Sequence, residues 1–137
     1  MDYTLCIIKP DAVLKGYTGK IMDDCIQAGF VIHGIRKVQL TENQAKSFYK
    51  IHKHKPFFKP LIEFMTSGPS VALVLEKENA VDAFRAIIGE TDARKAEEGT
   101  IRHKYGEDNR RNAVHGSDSP ENAKKEIAFF FANIDLI

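Results

Sequence analysis

His115 lies in the run Asn112-Ala113-Val114-His115-Gly116-Ser117-Asp118-Ser119, between a short apolar step and a turn that opens a helix. Such a setting can hold an imidazole still and exposed. A free histidine has a pKa of about 6.5, so much of it is neutral near neutral pH, and the neutral ring nitrogen is a competent nucleophile toward phosphorus. Gly116 permits a tight backbone turn, Ser117 offers a hydroxyl, and Glu126 on the following helix can orient the ring or support charge on its far nitrogen. Transfer of a phosphoryl group asks little covalent work of a protein but needs positive charge on the moving oxygens. Lys9, Arg85 and Arg102 are the candidates, each near the end of a predicted element. Taken singly, each of these residues has a blander reading as a solvated charge or a hydrogen-bonded surface histidine. His33, His52, His54 and His103 show no ligand spacing, and His52 and His54, two apart, do not share a helix face, so no protein-built metal site is expected.

These side chains are far apart in sequence, and the elements between them must bring them together. Tyr3 to Ile8 is apolar on both faces and reads as a central strand ending at Lys9, with Pro10 unable to continue a ladder. From Thr18 to Ala28 the residues Ile21, Met22, Cys25 and Ile26 form one helical stripe, and Gly29 suits a left-handed cap. A second strand is predicted over Phe30 to Leu40. Thr41-Glu42-Asn43-Gln44 then has capping-box spacing for a helix carrying Ala45, Phe48 and Tyr49. After the break at Pro56, Phe57, Leu61, Ile62 and Met65 predict a short second helix ended by Ser67-Gly68-Pro69, making a helical hairpin. Ser70 to Leu75 suits a strand buried on both faces. Asn79 suits the cap of a helix bearing Val81, Phe84, Ile87 and Ile88, which Gly89 ends. Glu90 to Arg111 is dense in charge without apolar periodicity and reads as a long functional loop. A short strand around Asn112 to Val114 leads to Ser119-Pro120, an N-cap and first helical residue, and a helix with Ala123, Ile127 and Phe130 on one face. Strands interleaved with helices in this order suit an α+β sandwich. The ferredoxin-like β-α-β-β-α-β plan, with an antiparallel four-stranded sheet, is compatible with it, and a doubly wound sheet is the alternative that periodicity leaves open.

The chain has 137 residues, enough for one domain over residues 1–137 with one ordinary core. Charged residues make up 28% and nearly cancel to +1, which argues against sequence-independent binding of nucleic acid or anionic membrane. The first residues fit neither a secretory signal nor a membrane span, so a cytoplasmic protein is expected. Cys6 and Cys25 lie among apolar residues and read as buried free thiols.

Asn112 to Ser119 resembles the signature of nucleoside diphosphate kinases, and seven or eight fixed positions around one histidine make the match specific. Lys9-Pro10-Asp11, Arg85 with Gly89-Glu90-Thr91, and Gly99-Thr100-Ile101-Arg102 each resemble a further family motif, so that the resemblance spans essentially the whole chain. It implies the ferredoxin-like fold with an inserted helical hairpin and a long loop before the histidine. It also implies a ping-pong reaction in which His115 takes the γ-phosphoryl group of a magnesium-bound nucleoside triphosphate and gives it to a diphosphate. In the family the basic residues matching Lys9, Arg85 and Arg102 hold phosphates, the phenylalanine matching Phe57 stacks on the base, and the leucine matching Leu61 lines the same slot. Lys9, Thr91 and Asn112 would approach sugar or phosphates, Tyr49 would lie beside the histidine, and Ser117 and Glu126 would sit near its ring. Stacking tolerates any base, which implies broad nucleoside use. Magnesium would arrive with the nucleotide, held by phosphates and water. The resemblance also implies a homo-oligomer, tetramer or hexamer.

Three differences stand out. Lys55 replaces an arginine common before Pro56-Phe57, and Ala93 and Glu98 stand where many members have proline, predicting a more flexible loop and a less certain oligomer. The ending at Asp135-Leu136-Ile137 is closer to bacterial members. Two rival functions are a nucleotide-sensing scaffold without turnover and a nucleic-acid regulator using Lys50 to Lys55. The joint presence of His115, Lys9, Arg85, Arg102 and Asn112 argues against the first, and the near-neutral charge against the second.

Overall fold

The computed structural model describes residues 2–137. Four strands, β1 (Asp2–Ile8), β2 (Val31–Val38), β3 (Ser70–Lys77) and β4 (Val114–Gly116), form one sheet in the order β2-β3-β1-β4. Every neighbouring pair is antiparallel. The helices are α1 (Pro10–Leu14), α2 (Thr18–Gln27), α3 (Glu42–Phe48), α4 (Phe58–Met65), α5 (Ala80–Ile88), α6 (Ile101–Tyr105) and α7 (Pro120–Phe130). With α2 and α5 as the crossovers, the order is the ferredoxin-like β-α-β-β-α-β plan, and α3 and α4 form the inserted hairpin.

The central strands β1 and β3 are buried on both faces because, Thr4 apart, their central positions are apolar. Cys6, Ile8, Leu73 and Leu75 point to a core closed by Ile21 and Cys25 of α2 and by Phe84 and Ile88 of α5. Leu5, Ile7, Ala72 and Val74 point to a second core closed by Ala45 of α3, Ile62 and Met65 of α4 and Phe130 of α7. Leu5, Cys6, Ile7 and Ile8 are each fully buried, and burying a residue of this size stabilises a fold by roughly 1.5–3 kcal/mol. Cys6 and Cys25 are buried free thiols.

Local signals set most of the boundaries. Thr41 and Gln44 close a capping box, with bonds of 3.1 and 2.9 Å. Ser119 accepts from the Asn122 amide at 3.1 Å, and Pro120 is the first residue of α7. Gly29 has φ +93° just after α2. Elsewhere the structure departs from the sequence reading. Pro10 opens α1 rather than simply ending β1, because a missing amide costs nothing at a helix start. Asn79 does precede α5, but it is left-handed and its side chain makes no capping bond; its backbone amide instead donates to Asp2 Oδ2 at 2.9 Å. The charged stretch from 90 to 111 is not featureless, since it holds a turn of 3-10 helix at Ala93–Lys95 and the five-residue α6, capped by Thr100. Helices this short show no apolar period. Ala93 is buried and its amide donates to Asp108 O at 3.1 Å, so this position is pinned rather than loose. The last strand lies two residues later than read, at Val114–Gly116, which puts His115 within the sheet.

Candidate active site

His115 pairs with Ile7 across the β1–β4 ladder and therefore shares its face, the side of the sheet covered by α3, α4 and α7. Its neighbours Val114 and Gly116 face the other core. A Cβ on Gly116 would stand 2.9 Å from Cδ2 of Phe84. The bare glycine thus lets α5 press against β4, and α5 carries Arg85 in its last turn. Gly89, at φ +85°, ends that helix, and a Cβ there would lie 2.7 Å from Thr100 Oγ1. The close approach joins the end of α5 to the start of α6, so Arg102 reaches back to donate to Gly89 O at 3.1 Å and to Val114 O at 2.9 Å.

The chain just ahead of the histidine is strained. Ala113 has φ +73°, and the Val114 amide bonds back to Asn112 O at 2.9 Å, the pattern of a tight three-residue turn. A non-glycine residue held this way costs about 1–3 kcal/mol and persists only where its surroundings impose it. Here Lys9 N donates to Ala113 O at 2.8 Å and Ala113 N donates to Asp11 Oδ2 at 3.1 Å. The Lys9-Pro10-Asp11 corner therefore fixes the entry to β4. From the sequence, Asp11 stands out only as part of the Lys9-Pro10-Asp11 motif, with no contact assigned to its carboxylate.

Charge is buried at this end of the site. Lys9 is 7% exposed and donates to Asn112 Oδ1 at 2.9 Å. Burial, then the nearby Arg102, lowers its pKa to about 8, with Asp11 pulling it up. Burial and then Arg85 bring Arg102 down to about 10, and its buried Nε has no partner among the described residues. Burial raises the Asp11 carboxyl, against the Ala113 amide and the Lys9 charge. Asn112 braces the group, since its Nδ2 donates to Thr91 O at 2.9 Å and Asn109 O at 3.2 Å. Its amide is thus spent on protein, leaving a lone pair of Oδ1.

The imidazole is tethered at one nitrogen. His115 Nε2 lies 2.8 Å from Glu126 Oε1, and Ser117 Oγ donates to the same oxygen at 2.7 Å. A carboxylate accepts, so Nε2 carries the proton and Nδ1 keeps its lone pair. Nδ1 has no protein partner among the described residues. Ser117 thus acts on the ring through Glu126 and lies behind the cleft wall.

One cleft of about 970 Å³ is lined by His115, Lys9, Phe57, Arg85, Thr91, Arg102, Asn112, Tyr49, Leu61 and Glu126. Every residue singled out from the sequence lines it except the buried Ser117. Phe57 is 43% exposed, whereas Phe58 packs into the second core. His52 lies 5.4 Å from the Phe57 ring. The sequence reading missed His52 and Phe48 as cleft residues. Among the described residues no group of three metal-ligating side chains gathers. No described helix is long and apolar enough to cross a membrane.

A sheet-borne histidine with one free nitrogen shares one cleft with buried cations and a half-exposed aromatic lip on a ferredoxin-like frame, an arrangement with the parts phosphoryl transfer needs. The family model described as Nucleoside diphosphate kinase matches residues 2–136, and the chain belongs to that family. It is 53% identical over 137 residues to the nucleoside diphosphate kinase of a Nitratiruptor species, covering 100% of both chains. To that of Campylobacter hominis it is 54% identical over 136 residues, covering 99% of each. Among solved structures, the Aquifex aeolicus nucleoside diphosphate kinase superposes with a TM-score of 0.97 at 47% identity, covering 99% of both chains. The Halobacterium salinarum nucleoside diphosphate kinase in complex with CDP superposes at 0.95 with 38% identity, covering 99% of this chain and 91% of that one. The chain is accordingly an enzyme that moves a phosphoryl group from nucleoside triphosphates to nucleoside diphosphates.

Proposed function

We propose that His115 carries the phosphoryl group, and that residues 1–137 act as one catalytic domain. The observation that carries this reading is the Nε2–Glu126 bond, which leaves Nδ1 as the unprotonated nitrogen in a cationic cleft. Nδ1 attacks the γ-phosphorus, a P–N bond forms as the P–O bond to the diphosphate breaks, and that diphosphate leaves with the electron pair. Glu126 and Ser117 support the charge that grows on the ring. A second diphosphate then takes the group by the reverse path. The bonds broken and formed are alike, so direction follows nucleotide ratios.

Arg102, Arg85 and Lys9 hold the phosphates, while Thr91 and the remaining lone pair of Asn112 meet phosphate or sugar. Phe57 stacks on the base beside Leu61, and Tyr49 backs the histidine. Magnesium comes as part of the nucleotide substrate: the cations at this end of the cleft favour a polyphosphate that brings its own metal over a carboxylate cage. A homo-oligomer, tetramer or hexamer, is supported by the exposed Val31 and Ile35 on the edge strand β2. A cytoplasmic location fits nucleotide substrates. The test is initial-rate exchange between ATP and dTDP. Parallel double-reciprocal lines in the wild type and no exchange in His115→Ala are expected; intersecting lines, or exchange in the variant, refute the assignment.

A further inference from the structure

One hydrogen bond does not fix a ring. The Nε2–Glu126 contact leaves the His115 imidazole free to swing about that bond, and a swing of this kind turns the Nδ1 lone pair away from an incoming phosphorus. We propose that Phe48 is a positioning residue for the transfer, its ring supplying the second contact that sets the angle of His115.

The geometry is direct. The Phe48 centroid lies 5.6 Å from that of His115 with the planes at 74°, inside the separation of about 4.5–7 Å at which edge-to-face pairs attract. Tyr49 adds a looser contact at 6.5 Å and 88°. Phe48 is itself clamped, by Tyr49 at 4.9 Å, Phe129 at 5.3 Å and Phe130 at 5.2 Å. Phe129 and Phe130 lie three and four residues beyond Glu126 on α7, one helical turn along. The helix that holds the ring nitrogen therefore also holds the aromatic that holds the ring plane. Phe48 is the last residue of α3 and lines the cleft, so the hairpin that bears the base-stacking lip is tied to the nucleophile through this ring.

The inference rests on His115 as the carrier, and the experiment separates the two. Phe48→Leu keeps an apolar side chain and removes the flat ring. Phosphoenzyme formation from γ-labelled ATP should slow by about tenfold while nucleotide affinity stays within about twofold, and Phe48→Tyr should restore the rate to within about threefold. Nitrogen-15 spectra of labelled imidazole should show one tautomer, protonated at Nε2, in the wild type, and mobile, averaged resonances in Phe48→Leu. If Phe48→Leu does not fold, Phe129→Leu takes its place, with the same kinetic split expected at smaller size. Wild-type rates in Phe48→Leu, or a loss of rate matched by loss of affinity and not restored by tyrosine, overturn the inference. A wild type that forms no phosphohistidine overturns the assignment of His115 instead.

Discussion

The two ends of the cleft are built on opposite terms. At the proposed phosphate end, Lys9, Asp11, Arg102 and Asn112 are all under 10% exposed; Lys9 donates to Asn112, Arg102 and Asn112 donate to backbone carbonyls, and Asp11 accepts from the Ala113 amide. At the base end, Phe57 is nearly half exposed and meets His52 as its aromatic neighbour. Buried cations carry a desolvation cost that only well-aimed partners offset, so under the proposed function the first end would hold one arrangement of phosphates. An exposed ring offers a flat face and little else, so under the proposed function the second end would accept any base. On that reading, selectivity for the reaction and tolerance of the nucleoside come from different physics in one cleft.

Substitutions should separate the two ends. Arg102→Met removes a buried cation and leaves Gly89 O and Val114 O without their donor; kcat/KM should fall about a thousandfold, and stability by roughly 2–4 kcal/mol, in kinetics and denaturant titration. Glu126→Gln keeps the shape but lets the amide present either a donor or an acceptor to the ring. It should lower kcat by about 10–100-fold with KM little changed. Phe57→Ala should show the opposite pattern, raising KM by about 5–100-fold and kcat far less, by nearly the same factor for purine and pyrimidine nucleotides. A strong base preference in that variant would mean that the lip reads edges as well as faces.

The pH dependence sharpens the contrast. Lys9 titrates near 8 in the folded protein, so kcat/KM should decline toward a slope of tenfold per unit above about that pH, as the free enzyme loses a phosphate-binding charge. Stability should move the other way. A lysine whose pKa is lowered by folding is held charged at full cost below about 8, and that cost is relieved as pH rises toward the ordinary lysine value near 10.5. The buried thiols of Cys6 and Cys25, raised by burial, oppose it in the same range, because the fold keeps them protonated while the unfolded chain ionises. The Lys9 share is isolated as the difference between wild type and Lys9→Met, and should approach about 1.4 kcal/mol per pH unit between the two values. A difference independent of pH would show that Lys9 is not held charged against burial.

The strands, the hairpin and α7 were legible because long apolar periods, a capping box and a Ser-Pro start each act over a few neighbouring residues. Residues 90–111 hid α6 because five residues make too little of a turn to show a stripe. His115, Lys9 and Arg102 could be picked out by type and by resemblance, and the structure brings them to one cleft. What no local rule could give were contacts across the chain: Asp11 on the Ala113 amide, Gly116 making room for Phe84, and Phe48 against the imidazole. Those depend on which face of the sheet each residue meets once the strands pair.

The most direct measurement is isolation of the enzyme after brief exposure to γ-labelled ATP with no acceptor present. The expected product bears one acid-labile, alkali-stable phosphoryl group per chain on His115 Nδ1, which passes wholly to added dTDP, while His115→Ala takes up none. A label that survives acid, or one that His115→Ala still acquires, would contradict the account.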